Sequence, residues 1–157
     1  MMTRWTCFFV AVCALGLSGC DLFGPEPNPQ PADRVVVVQD PFDGSFSMDP
    51  VTVDSAWVAN DSLYLDVGHS GGCAEHDFRL YGAQALSPLT IFPPQGSVVL
   101  SHDANGDLCE AYVTAQLRFD LTPVLDAWGR DYDGPAKAMI YVERNAASVR
   151  FVEVTVP

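Results

Sequence analysis

The stretch GHSGGCAEHDFRLY, residues 68–81, admits two incompatible folds. Gly68-His69-Ser70-Gly71-Gly72 fits G-x-S-x-G, the elbow that presents the nucleophile of a serine hydrolase, and that elbow needs a strand before it and a helix after it. The residues after Cys73 decide the matter. Ala74, His76, Phe78 and Leu80 alternate with Glu75, Asp77, Arg79 and Tyr81, a period of two that belongs to a strand. Gly68 to Gly72 is then a glycine-rich corner or bulge between two strands that sets Cys73 in place. His102 could supply a base to Ser70, but the chain has no HGGG-like oxyanion loop and lacks the alternation of strands with long helices that such an enzyme requires.

The same periodicity recurs along the domain. Arg34–Gln39, Val51–Ala59, Ser62–Gly68, Ala74–Tyr81, Ser97–His102, Leu108–Phe119, Lys137–Glu143 and Val149–Val156 are short and rich in β-branched and aromatic residues, and Gly, Pro, Asn and Asp clusters separate them. Such a series predicts an all-β chain, an antiparallel β-sandwich. One short helix is expected at Pro123–Trp128, with Thr122 as N-cap and Pro123 at the first helical position. Asn105-Gly106 is a strong type I′ hairpin signal. A hairpin there would set His102 opposite Cys109, Leu100 opposite Ala111 and Val98 opposite Val113, with Cys109 pointing into the core.

The N-terminus carries an address. Arg4 precedes the uncharged run Trp5–Leu17, too short to span a bilayer of roughly 30 Å as a stable helix, and the run ends in Leu17-Ser18-Gly19-Cys20. This ending resembles the lipobox of bacterial lipoproteins, which implies cleavage after residue 19 and lipidation of Cys20. The following segment has four prolines from Pro25 to Pro31 and little to bury, as expected of an extended tether. The organisation expected is a lipoprotein signal peptide over 1–19, lipidated Cys20 with a Pro-rich tether over 20–33, and a β-sandwich over 34–157, outside the cytoplasm in the cell envelope.

Of five cysteines, Cys7 and Cys13 leave with the signal and Cys20 takes the lipid. Cys73 and Cys109 remain, an even pair in an oxidising compartment, and a disulfide is the expectation. Eight basic residues stand against twenty acidic ones, for a net charge of −12, and loss of Arg4 makes the mature chain more negative still. This excludes nucleic acid as a partner, because phosphates are held mainly by Lys and Arg.

Two metal readings arise. His69 continues the face of Leu63, Leu65 and Val67, and His76 that of Ala74, Phe78 and Leu80, while His102 lies beside Cys109 in the hairpin register. All three can gather at one end of the core, where imidazoles suit zinc or copper. Against this, no tight C-x-x-C or H-x-x-x-H spacing occurs, and a disulfide consumes both sulfurs. Asp103-Ala104-Asn105-Gly106-Asp107 begins like an EF-hand loop, but Leu108 and Thr114 stand where glycine and a bidentate carboxylate are required. The Glu75, Asp77 and Glu110 carboxylates fall on outward strand positions and read as solvated.

SGGCAEHDFRLYG and LSHDANGDLCEAYVTAQLRFDLTPV together resemble paired blocks of exported bacterial lipoproteins, in particular the C-terminal β-sandwich domain of NigD-like proteins, over Leu63 to Val124. The resemblance implies a lipid-anchored β-sandwich and no reaction. The expected function is therefore that of a non-enzymatic binding or accessory module, without a cofactor, with the membrane reached through its lipid and an envelope protein as partner. The alternative is a zinc- or copper-binding envelope protein using His69, His76 and His102; a serine hydrolase at Ser70 ranks after both.

Overall fold

The structure, a computed structural model, describes residues 33–89, 91–130, 136–143 and 150–157. The expected signal peptide, Cys20 and the expected tether as far as residue 32 lie outside the described residues. Among the described residues, nine strands and one helix follow in chain order: β1 (Asp33–Arg34), β2 (Val36–Val38), β3 (Thr52–Ala59), β4 (Ser62–Gly71), β5 (Asp77–Ala83), β6 (Gln95–Asp103), β7 (Ala111–Asp120), α1 (Thr122–Gly129), β8 (Ala136–Glu143) and β9 (Arg150–Val156). They form two packed sheets, of order β1-β7-β4-β3 and β2-β5-β6-β8-β9.

The sandwich is mixed, which corrects the antiparallel expectation: β1 runs parallel to β7, β2 to β5 and β6 to β8. The cause is non-local. After β6 the chain crosses to the other sheet as β7, returns through α1, and re-enters the first sheet beside β6 as β8, the long crossover that a parallel pair needs. Residues 34–39, expected as a single strand, divide for a related reason. Val35 is buried in the core between the sheets, so β1 joins one layer and β2 the other.

The hairpin drawn around Asn105-Gly106 does not form. Asn105 and Gly106 do adopt positive φ, 51° and 72°, and the Asp107 N–H donates to the Ala104 carbonyl at 2.9 Å. The turn is therefore made, but β6 and β7 leave it into different sheets. A two-residue hairpin forms instead at Asn60-Asp61, with φ of 49° and 56°, where Ala59 pairs with Ser62. Both turns satisfy the same local chemistry; only the inward faces of the flanking strands distinguish them.

The core joins Val53, Leu63, Leu65, Val67 and Phe119 of one sheet to Leu80, Val98, Leu100, Ile140, Val142, Val154 and Val156 of the other. Burying a Leu, Ile or Phe side chain contributes roughly 1.5–3 kcal/mol each, so this layer is the main source of stability. The helix closes one end. Val124, Leu125, Ala127 and Trp128 are buried, and the Trp128 indole Nε1–H donates to the Ala83 carbonyl at 2.9 Å. Leu121, rather than the expected Thr122, occupies the N-cap, and no side chain caps the helix from there. Asp120 supplies the acceptor instead, its Oδ1 taking the Thr122 N–H at 2.9 Å.

Candidate functional site

The opposite end of the sandwich carries the chemistry. His69 lies near the end of β4, paired with Val113 at the start of β7. His76 precedes β5 by one residue, and His102 is the penultimate residue of β6. Alternation along β4 turns His69 inward, 7 % exposed, while Ser70 points outward and is exposed. His102 is 1 % exposed, and the His76 side chain 4 %.

The three imidazoles meet. Ring centroids are 4.3 Å apart for His69 and His76, 5.0 Å for His76 and His102, and 5.2 Å for His69 and His102. Phe78 stacks on His102 at 4.6 Å and walls the cluster on the core side. Each ring is oriented by an oxygen acceptor. His69 Nδ1 lies 3.1 Å from the Ser70 carbonyl, His102 Nδ1 3.1 Å from the Asp49 carbonyl, and His76 Nε2 3.3 Å from Asp107 Oδ2. His76 Nδ1 and His102 Nε2 face each other at 2.8 Å.

Asp49 reaches this place because β8 covers β6 only as far as Val99. Beyond it the segment Ser47–Asp49 takes over the edge: the His102 N–H donates to the Ser47 carbonyl at 3.1 Å, and the Asp49 N–H to the His102 carbonyl at 3.0 Å. A loop remote in sequence thereby supplies a partner to His102 that no motif could reveal.

Asp107 is the organising residue of this end, although in the sequence it stands out only as part of an incomplete EF-hand pattern. Its side chain is buried and accepts the backbone N–H groups of Gly72, Cys73 and Ala74 on Oδ2 at 2.9, 2.8 and 2.9 Å, and that of Cys109 on Oδ1 at 2.8 Å. The Cys109 N–H, followed by those of Ala74 and Cys73, holds this carboxyl well below the usual carboxylate range. Successive N–H groups converging on one anion make a nest, here filled from within the chain. Gly71 lies beside it with φ 147°, and a Cβ at this position would come within 2.5 Å of His76 Nε2. Glycine is required there to let His76 in.

The Cys73–Cys109 disulfide is present, with Cα atoms 6.0 Å apart and a sequence separation of 36. It is not inside the core, as the hairpin register implied. Cys73 is exposed and Cys109 half-buried, because the crossover from β6 to β7 carries Cys109 out to the rim. The corner expected over Gly68–Gly72 is strand as far as Gly71, and the bond clamps the residues just beyond it to the segment that follows the Asn105-Gly106 turn, beside the Asp107 nest. Such a bond belongs to an oxidising compartment.

At Ser70 the structure has a strand where the elbow needs a turn and a helix. β4 runs unbroken through Gly71 and pairs with β7 as far as Ala111. Ser70 and the histidines point to opposite faces of the sheet. Glu75 and Glu110 are exposed, while Asp77 accepts a hydrogen bond from the Asn105 side chain at 3.2 Å. Among the described residues no helix is long and apolar enough to cross a membrane.

No family model and no curated protein matches the chain. Among solved structures, the fold is similar to a protein of unknown function from Bacteroides vulgatus, at 14 % identity and TM-score 0.52, over 81 % of this chain and 57 % of that one. It is similar also to an uncharacterised protein from Parabacteroides merdae, at 8 % identity and TM-score 0.50, over 81 % and 68 %. A NigD-like immunity protein from Bacteroides caccae aligns at 20 % identity and TM-score 0.46, over 76 % of this chain and 58 % of that one. The likeness is one of fold, and the chain spans under three-fifths of the Bacteroides vulgatus and Bacteroides caccae proteins.

Proposed function

We propose that this chain is an exported lipoprotein, attached to the membrane through Cys20, whose β-sandwich acts by binding at its disulfide-clamped end. One observation carries the reading: residues 72–74 and 107–109 are tied together at that end through Asp107 and the disulfide, and Leu108, 92 % exposed, projects from it. Ordering a loop before contact lowers the entropic cost of association, and covering a fully exposed leucine contributes roughly 1.5–3 kcal/mol. The lipobox-like Leu17-Ser18-Gly19-Cys20 and the Pro-rich segment support the tether, and the disulfide supports export.

Two measurements test it. Palmitate labelling in cells should mark the protein and send it to the membrane fraction, and Cys20→Ser should lose both. A photo-crosslinking residue at Leu108 should trap an envelope protein in intact cells, while the same probe at Trp57, on the outer face of β3, should not. Loss of membrane attachment without loss of crosslinking would separate the anchor from the binding surface. Equal trapping at both positions would refute the assignment of the clamped end.

A further inference from the structure

The hydrogen bonding of the three histidines raises an accounting question that lipid anchoring and partner binding leave unanswered. A neutral imidazole carries one N–H and one acceptor nitrogen. In His102 the Nδ1 proton is committed to the Asp49 carbonyl, which can only accept, and in His76 the Nε2 proton is committed to Asp107 Oδ2, which acts as an acceptor toward three backbone N–H groups as well. The acceptor nitrogens left are His102 Nε2 and His76 Nδ1, and these face each other at 2.8 Å. Two acceptors cannot hold that distance unless a positive charge lies between them. His69 follows the same rule, since its Nδ1 is directed to the Ser70 carbonyl and Nε2 is its acceptor.

We infer that His69, His76 and His102 form a binding site for one divalent cation of the zinc and copper class, through His69 Nε2, His76 Nδ1 and His102 Nε2. Each ring brings one nitrogen to a cluster whose members all lie within 4.8 Å of one another, and His76 Nδ1 and His102 Nε2 stand 2.8 Å apart. Nitrogens bound to one tetrahedral ion at about 2.0–2.1 Å stand ~3.3 Å apart, so binding needs adjustments of roughly 1 Å, within the range of side-chain rotation. A proton shared by His76 and His102 would also supply the charge, but it gives no reason for the third imidazole to be buried against the other two. A metal ion uses all three.

The surroundings match the choice. Histidines that bind metal characteristically donate their other nitrogen to a carboxylate or a carbonyl, which fixes tautomer and ring plane; here all three do, to Asp107, Asp49 and Ser70. Burial of the rings excludes water, and Phe78 closes the inner wall. The sulfurs of Cys73 and Cys109 are bonded to each other, so the donor set is nitrogen alone. Neutral imidazoles favour zinc, copper or nickel over calcium and magnesium, which take oxygen. The inference is independent of the lipid and of any protein partner.

The experiment uses the mature lipoprotein purified in detergent without an affinity tag, with its disulfide intact. After chelation and dialysis, titration with Zn²⁺ or Cu²⁺ alone should reach one ion per chain. His69→Ala, His76→Ala and His102→Ala should each weaken binding by ~100-fold or more, and Asp107→Asn by about 10- to 100-fold. Should a variant fail to fold, ¹⁵N-histidine spectra of the unaltered protein carry the test: zinc should shift His69 Nε2, His76 Nδ1 and His102 Nε2 and leave the outer N–H groups in place. Absence of stoichiometric metal with no shift at these nitrogens would overturn the assignment. So would shifts that spare His69, or equal binding by a folded variant lacking all three histidines.

Discussion

Asp107 accepts the backbone N–H of Cys73 across 2.8 Å, while its other carboxylate oxygen takes that of Cys109 at the same distance, so one side chain holds both halves of the disulfide. The covalent bond and the carboxylate thus close the same loop by different means. Removing either should leave the other in place but strained in its duty, and the two contributions can be separated.

Asp107→Asn keeps the shape of the side chain but replaces an acceptor by a donor. One of its two polar atoms then meets the Cys109 N–H, or the N–H groups of Gly72 to Ala74, as donor against donor. Left without an acceptor, a buried N–H is costly, and the expected result is a lower melting temperature, by ~5 °C or more, with the disulfide intact. Calorimetry under non-reducing conditions checks this, and an unchanged transition would show that the nest contributes nothing to stability.

Reduction of the disulfide should cost about 4 kcal/mol, the chain-entropy value for the 36-residue separation of Cys73 and Cys109. Urea denaturation with and without a dithiol reductant measures it. The mature protein, denatured without reduction, should show no free thiol. Cys109→Ser should unfold at the denaturant concentration of the reduced wild type, since both remove the same cross-link.

Trp128 is the largest buried side chain, and it lies where β6 has a glycine: a Cβ at Gly96 would come within 2.3 Å of the indole ring. Gly96→Ala should therefore destabilise by roughly 1–3 kcal/mol through overpacking. Trp128→Ala should cost about 3–5 kcal/mol and break the hydrogen bond to Ala83. Equilibrium unfolding followed by far-ultraviolet circular dichroism distinguishes them, and the double variant should cost less than the sum because one substitution relieves the clash that the other creates.

The Thr122 side chain, the Thr122 N–H and Arg34 hold the Asp120 carboxyl below its usual value. A depressed native pKa means that the unfolded chain binds the extra proton first as pH falls. The contribution of Asp120 is therefore complete above the unfolded value of ~3.9 and disappears as pH drops through the lower native value. Urea midpoints measured from pH 6 down to pH 2 should fall less steeply for Asp120→Asn than for the wild type. An identical pH dependence would mean that Asp120 is equally paired in the unfolded state.

Much of this molecule is legible from local pattern. Period-two alternation places every long strand within a few residues of its observed limits, from Val51–Ala59 to Val149–Val156, because a strand half-buried in a sandwich must alternate whichever strand it pairs with. The inward turn of His69 and His102 follows from the same alternation, whereas Ser70, expected in a corner, lies within β4. The pairing of Cys73 with Cys109 needs only a count of cysteines and an oxidising compartment. What failed was the step from a turn to its partners: Asn105-Gly106 and Asn60-Asp61 carry the same backbone signal, yet one makes a hairpin and the other a crossover.

Strand identity, facing and the disulfide were thus determined by the sequence on its own, since each depends on neighbours a few residues away or on a chemical pair without competitors. Sheet membership, the parallel pairs, the exposure of the disulfide and the acceptors of His76 and His102 were decided by tertiary structure. Asp107 and Asp49 come to those rings from segments 31 and 53 residues away. Their convergence arises when β6 and β7 bury their apolar faces from opposite layers, a global packing outcome that local periodicity does not encode.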